Sequence, residues 1–292
     1  MSPPARGASA LLGSGAAYGQ IAPLVAVFAG FLVFPLAVIG VASVWDYENY
    51  RLVPTFVLRN YAELFSSGVT YVTYLHTFTL AFLTWGATLL LGFTVAYFLA
   101  FHVRSTLWRT VLFLLCTIPF WTSNVIRMIS WIPFLGRHGI VNSALLAVGA
   151  IHQPLEFLLY SDFAVVLAFV HLSTLFMVVP IFNSMMRIDR SVIEAAVDAG
   201  ASSWRVIAEV IVPLSKPGIA IGSIFVISLV MGDFVTVRLM GGGKSAAVGL
   251  MLANSISLLQ YPQAAAGAVV LLGVVLAVVT GILRMVDIRK EL

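Results

Sequence analysis

Gly241-Gly242-Gly243-Lys244-Ser245 ends in the Gly-Lys-Ser that cradles nucleotide phosphates in a P-loop. The full pattern needs a glycine five positions before Gly243, and that position is Arg238. The segment therefore reads as a flexible loop. The other reactive residue types are scattered. Cys116 is the only cysteine, which rules out an internal disulfide and a cysteine metal site. His76, His102, His138, His152 and His171 form neither an HExxH motif nor a close pair, so no metal ligands are expected. No paired acid and base stands out, which argues against an enzyme. Asp233 lies in the apolar stretch Met231-Gly232-Asp233-Phe234. An ionisable group at membrane depth costs at least ~2.5 kcal/mol. It either lines a water-filled path and favours a cation, pairs with Arg127 or Arg238, or sits near the outer surface. Trp121 and Trp131 offer ring faces to an ammonium group, or pack between helices. Ser123 and Asn124 line water or bond to a neighbouring helix. Arg127 opposes a strongly cation-selective cavity unless it points elsewhere.

The elements that hold these residues are membrane spans. Of 292 residues 61% are hydrophobic and 10% charged, and mean hydropathy is +1.03. A soluble domain carries roughly a quarter charged residues. Apolar runs of ~20 residues, enough to cross a bilayer, are expected at about 21–45, 71–101, 110–134, 162–186, 217–237 and 264–286. The third is interrupted by Trp121, Thr122, Ser123, Asn124 and Arg127. Residues 1–20 read as a flexible tail. The run from Ile21 to Val44 exceeds the ~7–15 apolar residues of a signal peptide and reads as a retained first span. Residues 21–70 comprise that span and an outer interfacial segment, in which Tyr47, Tyr50, Phe56, Tyr61 and Phe65 alternate with polar residues as in a helix lying at the head groups. Residues 71–286 hold five further spans, and 287–292 a short tail. The short apolar helix within 136–161 caps or partly re-enters the outer face.

Basic residues orient the chain. One side collects Arg6, Arg104, Arg109, Arg187, Arg190, Arg205, Lys216, Arg284, Arg289 and Lys290; the other has Arg51, Arg59, Arg127, Arg137, Arg238 and Lys244. The richer side is expected to be cytoplasmic, with both termini and the 187–216 loop. That loop contains SVIEAAVDAGASSWRVIAEVIVP, Ser191 to Pro213. Ser191 and Glu194 fit a capping box, Gly200 a helix stop, and Ser202 or Ser203 the cap of a second helix running to Ile211, ended by Pro213 and Pro217. Two short helices then meet at an angle. Ala195, Ala196, Ala199 and Ala201 leave the elbow little bulk, so it can enter a partner's groove with Glu194, Asp198 and Arg205 at the rim. The bland alternative is that Glu194 only caps and Gly200 only stops a helix.

The spacing resembles the EAA loop of binding-protein-dependent ABC importer permeases: Glu194-Ala195-Ala196, three residues, Gly200, nine residues, then Val210-Ile211-Val212-Pro213. The family's pattern ends Ile-x-Leu-Pro, so Val210 and Val212 are conservative departures. Over roughly 70–285 the chain is also similar to the spermidine/putrescine branch. The segments that carry this are Pro119 to Arg127, Gly139-Ile140-Val141-Asn142, Val179-Pro180-Ile181, and Gly232-Asp233-Phe234-Val235 through Gly243. The resemblance implies an all-α integral membrane protein of the type I, MetI-like permease fold in a bacterial inner membrane. Its partners would be ABC ATPase subunits, a second related permease or second copy, and an extracytoplasmic solute-binding protein. It implies no cofactor in this chain, because ATP and magnesium bind the partner ATPase. It gives Glu194, Ala195, Ala196, Asp198, Gly200 and Arg205 the ATPase-coupling role, with Asp233, Trp121, Asn124 and Arg127 as pathway candidates. A polyamine is the leading solute. The alternatives are an opine, amino acid, phosphonate or ferric ion, an ion-driven secondary transporter, whose inverted repeats are not evident here, or a membrane enzyme.

Overall fold

Charge-free apolar runs must satisfy their backbone groups internally in lipid, so they fold as helices. The computed structural model describes residues 14–48 and 51–286. It opens with α1 (Ser14–Phe28), which passes through a widened π turn (Ala29–Val33) into α2 (Phe34–Ala42). Residues 14–20 are thus already helical, where composition predicts a tail. The remaining tail residues, 1–13 and 287–292, lie outside the described residues.

The segment after the first span differs from the single interfacial helix that its aromatics suggest. It begins as an antiparallel hairpin, β1 (Asp46–Glu48) with β2 (Arg51–Val53), with Asp46 facing Val53. Only then does the amphipathic α3 (Arg59–Ser66) form. Its buried Asn60 donates from Nδ2 to the carbonyls of Ser43 (3.0 Å) and Trp45 (2.9 Å). That satisfies backbone acceptors left open where α2 ends.

The next helix, α4 (Gly68–Tyr97), continues through a π turn (Phe98–His102). Then comes α5 (Thr106–Thr117) with a 3-10 turn (Ile118–Trp121), and α6 (Asn124–Leu135). The stretch Thr106–Trp121 meets the following helical stretch Asn124–Ala147 at 89°. The break falls on the polar interruption: Thr122 and Ser123 are extended (ψ 152 and 136), and the Thr122 hydroxyl donates to the Pro119 carbonyl at 2.8 Å. A short α7 (Ile140–Ala147) follows. It is pinned by buried Asn142, which bonds the Gly136 and Leu155 carbonyls and the Leu155 amide.

The next span is α8 (Asp162–Met185). After it come α9 (Arg190–Asp198) and α10 (Ser203–Arg205), the latter running through a π turn (Val206–Ile211) into α11 (Val212–Leu214). The rest comprises α12 (Lys216–Gly232), α13 (Val235–Gly241), α14 (Val248–Ser257) and α15 (Tyr261–Met285). Among the described residues four helices are long and apolar enough to cross a membrane, and the number is six if each of two bent pairs is one span. The fifth departs from a single run over 217–237. Its helix stops at Gly232, and at its start it bends 67° from the helix Ser203–Leu214.

The core is three helices, α4, α8 and α12, packed on one another. Between apolar spans in lipid, close backbone approach replaces hydrophobic burial as the source of affinity. Met177 of α8 sits between Gly92 of α4 and Gly222 of α12, where an added methyl group would come within 2.7 Å of its side chain on either side. At Gly218 the contact is backbone to backbone, since a Cβ there would lie 2.3 Å from the Pro180 carbonyl oxygen. Trp85 of α4 donates to the Ser223 hydroxyl of α12 at 2.8 Å. The span Ile21–Ala42, by contrast, has no buried residue in its apolar window; α2 rests on α15.

Overpacking of such a contact costs about 1–3 kcal/mol or more. Gly218→Ala is therefore expected to lower the melting temperature and yield of the detergent-solubilised protein, whereas Gly273→Ala, which has open space around it, leaves both unchanged. Equal thermal stability of the two variants would contradict the packing described here.

Candidate functional site

The polar loop between α8 and α12 forms the expected elbow, with a different first cap. The N-cap of α9 is Asp189, whose carboxylate accepts the Ser191 backbone N–H at 3.0 Å. Bonds from the Ser191 amide and hydroxyl hold the Asp189 carboxyl below the usual carboxylate range. The Ser191–Glu194 capping box is not formed, because an ionised acceptor two residues earlier makes the stronger bond. Glu194 is exposed, and among the described residues it has neither a hydrogen bond nor an ion pair. Gly200 turns the chain at φ +86, with nothing within 4 Å of where a Cβ would be. It is the backbone conformation, not lack of space, that calls for glycine. Ser202 then caps α10 through the Arg205 amide at 3.5 Å. The helix runs through Pro213 to Leu214, beyond the expected end at Ile211.

The elbow has two faces. Val206 and Ile211 are buried, and Ile193, Ala196, Ala201 and Ile207 pack against the core. Glu194, Ala195, Asp198, Ala199, Gly200 and Arg205 are exposed. Of the four alanines, Ala195 and Ala199 are exposed while Ala196 and Ala201 are half-buried against the core. Trp204 is 74% exposed beside this face. Sequence reasoning did not single it out; a large aromatic on a polar loop was the available signal. A cavity of about 300 Å³ lies between the elbow and the end of α4, lined by Tyr97, Phe101, Arg190 and Glu194 among others.

At the far end of the bundle, Asp233 occupies the break between α12 and α13 instead of the middle of a helix. Its Oδ1 accepts the Thr236 N–H at 2.8 Å, so it caps α13. It pairs with neither Arg127 nor Arg238. Arg238 bonds Asn254 at 3.2 Å and lies over the Phe234 ring at 5.6 Å. Asp233 and Asn124 line one cavity of about 80 Å³, with Ser173, Phe120, Phe169 and Phe176. Arg127 is buried on the other side of Asn124, donating Nη2–H to its Oδ1, while its Nε has no partner. It lines a separate cavity of about 290 Å³ with His171 and Cys116.

The two tryptophans do not join this group. Trp121 is 85% exposed, and Trp131 donates to His171 Nδ1 at 3.0 Å in an edge-on ring contact. Ser173, Phe176 and Phe225 were missed by sequence reasoning. Their signal is recurrence at every third or fourth position of α8 and α12, which all-apolar helices hide. The Gly241–Ser245 segment is a turn between α13 and α14. Among the described residues no group of three or more His, Cys, Asp or Glu could hold a metal.

Residues 88–290 match the family described as binding-protein-dependent transport system inner membrane component. The chain is 31% identical over 267 residues to the spermidine/putrescine transport system permease protein PotB of Escherichia coli (strain K12), covering 90% of this chain and 96% of the relative. It is 27% identical to the inner membrane ABC transporter permease protein YdcU of the same organism, covering 68% and 66% of the two chains. In fold it is similar to a chain of a bacterial alginate ABC transporter solved with its alginate-bound periplasmic protein, at a TM-score of 0.73 and 19% identity over 92% of this chain and 93% of that one. With the elbow and the four to six candidate spans among the described residues, these matches bear out the ABC importer permease resemblance: the chain belongs to the family of inner membrane components of binding-protein-dependent transport systems.

Proposed function

We propose that this chain is a permease subunit that imports polyamines, taking them from an extracytoplasmic solute-binding protein and driven by partner ATPases. The observation that carries the substrate class is the likeness to PotB along nearly the full length of both chains. The Asp233 carboxylate, without an ion pair in a small cavity that also has three phenylalanine rings, supports it, since a carboxylate with ring faces suits an ammonium group. A volume of about 80 Å³ takes one amine end of a linear polyamine at a time. In this reading Asp233 and Asn124 line the pathway. Arg127 bonds Asn124, forms no ion pair with Asp233 and lines a separate cavity.

The exposed elbow residues Glu194, Ala195, Asp198, Gly200 and Arg205 are the ATPase-docking surface, on the cytoplasmic side together with both termini. ATP and magnesium belong to the partner, and a second, related permease completes the pathway. The direct test is uptake of labelled putrescine and spermidine in cells lacking this chain, with and without the wild-type copy. Loss and recovery together support the assignment. Uptake unchanged by the deletion, where no other polyamine carrier operates, removes it.

Two variants separate the two ends of the molecule. Gly200→Val should leave the spans inserted and cut ATP-driven uptake by at least about tenfold, because a β-branched residue resists positive φ. Gly200→Asn should retain more, since asparagine visits that region. Equal uptake by the wild type and both variants would contradict a rigid elbow. Asp233→Asn keeps an acceptor for the Thr236 amide and loses the charge. Loss of a charge-assisted bond, worth about 1.5–3 kcal/mol, predicts normal assembly with uptake reduced on the order of tenfold to a hundredfold. Normal uptake in that variant would take Asp233 out of the pathway.

A further inference from the structure

Three phenylalanines outside the packed core stand in a row where cavities meet. Phe120 belongs to the 3-10 turn just before the 89° break, Phe176 to α8 and Phe225 to α12. The Phe120 and Phe176 ring centres are 5.5 Å apart, edge-on, and those of Phe176 and Phe225 are 6.0 Å apart. Phe120 and Phe225 are each about half exposed, at 51% and 49%, so core filling does not account for them. On one side of the row is the Asp233 cavity, lined by Phe120 and Phe176. On the other is a groove of about 710 Å³, which reaches the elbow and is lined by Phe225, Ile221, Pro180, Asn183, Arg187 and Asp189.

Helical spacing makes these one track. Ser173, Phe176, Pro180, Asn183 and Arg187 follow at three or four residues along α8 and its end, and Asp233, Leu229, Phe225 and Ile221 follow at four along α12 and the residue after it. Residues at such spacing share a helix face. At 1.5 Å per residue each stripe spans roughly 18–21 Å, a large part of the ~30 Å hydrocarbon thickness. Polar groups lie at both ends of this track, and apolar side chains, Phe176 and Phe225 with Leu229, Pro180 and Ile221, lie between them.

We propose that Phe120, Phe176 and Phe225 are the gate of the translocation pathway, closed in this structure, and that its rings serve passage of alkylammonium cations. The gate rests on the permease reading above; the cation part rests on its polyamine assignment. An apolar partition excludes water and small ions while shut. Aromatic faces attract a passing ammonium through the ring quadrupole, which an aliphatic partition of similar size does not.

The test uses the assembled transporter in liposomes, in a Cys116→Ser background that carries Leu229→Cys on the Asp233 side of the row. A trimethylammonium thiol reagent that cannot cross the bilayer is supplied from the elbow side without ATP. With the three rings present, labelling is expected to be slow; with Phe176→Ala and Phe225→Ala it should speed up at least tenfold. Equal labelling rates would overturn the gate, whatever the natural solute. The volume-retaining pair Phe176→Leu and Phe225→Leu, made without the cysteine changes, guards against misfolding. It should label slowly when carrying the same cysteine changes, yet take up putrescine about tenfold more slowly with ATP. Undiminished uptake by that pair would overturn the cation part of the proposal. Absence of putrescine uptake by the wild type, in vesicles whose ATPase still responds to the binding protein, would overturn the polyamine assignment and the cation part, and leave the gate to the labelling result.

Discussion

The seating of α8 between α4 and α12 is the constraint on which the other features depend. Met177 enters a slot that exists only because Gly92 and Gly222 lack side chains, and Gly218 lets α12 reach the backbone of α8 at Pro180. In lipid there is little hydrophobic gain from bringing two apolar helices together, so such close contacts decide which faces meet. Once they are fixed, the remaining faces of α8 and α12 carry the rings and polar groups of the track. The Trp85–Ser223 bond further fixes the rotation of α12 against α4.

Two helix breaks border one cavity. The breaks at Thr122–Ser123 and at Asp233 lie where polar side chains can satisfy the freed groups, the Thr122 hydroxyl at one and the Asp233 carboxylate at the other. Broken helices within a bundle are tolerated where protein or a water-lined cavity takes up their backbone groups. Asp233 meets both conditions at once: one oxygen holds α13 and the side chain borders a cavity. A carboxylate used this way is oriented by the fold before any solute arrives.

Much of this was legible in the sequence, and what was not has physical causes. Among the described residues, the four long apolar helices and the two bent pairs fall where apolar runs of sufficient length are read, and the elbow where a polar stretch has helix signals on either side of Gly200. The cap of α9 was misassigned to Ser191 because Ser191 and Glu194 match a capping box; nothing local shows that Asp189 competes successfully. The pairing of 46–48 with 51–53 was hidden because aromatics spaced along a polar stretch suit both a strand and an interfacial helix. Trp121 and Trp131 could not be told apart, since orientation in an apolar helix leaves no polar-apolar period to read. For the same reason the Met177 slot could not be foreseen: a methionine between two distant glycines is visible only after the helices are placed.

Ser215 has a mechanical consequence. Its amide donates back to Ile211 at 2.9 Å, and its carbonyl accepts the Ile219 amide at 3.0 Å, so the hydrogen-bond ladders run up to the corner from both sides. The helix Ser203–Leu214 and α12 are two stiff arms set at 67°. At 1.5 Å per residue the first arm is ~18 Å long, and Phe225 lies ~15 Å along the second. For a bell crank pivoting at Ser215, displacements at the two places stand nearly in the ratio of those lengths. Its gearing is then close to one to one, set by nothing more than the number of residues on each side of the corner.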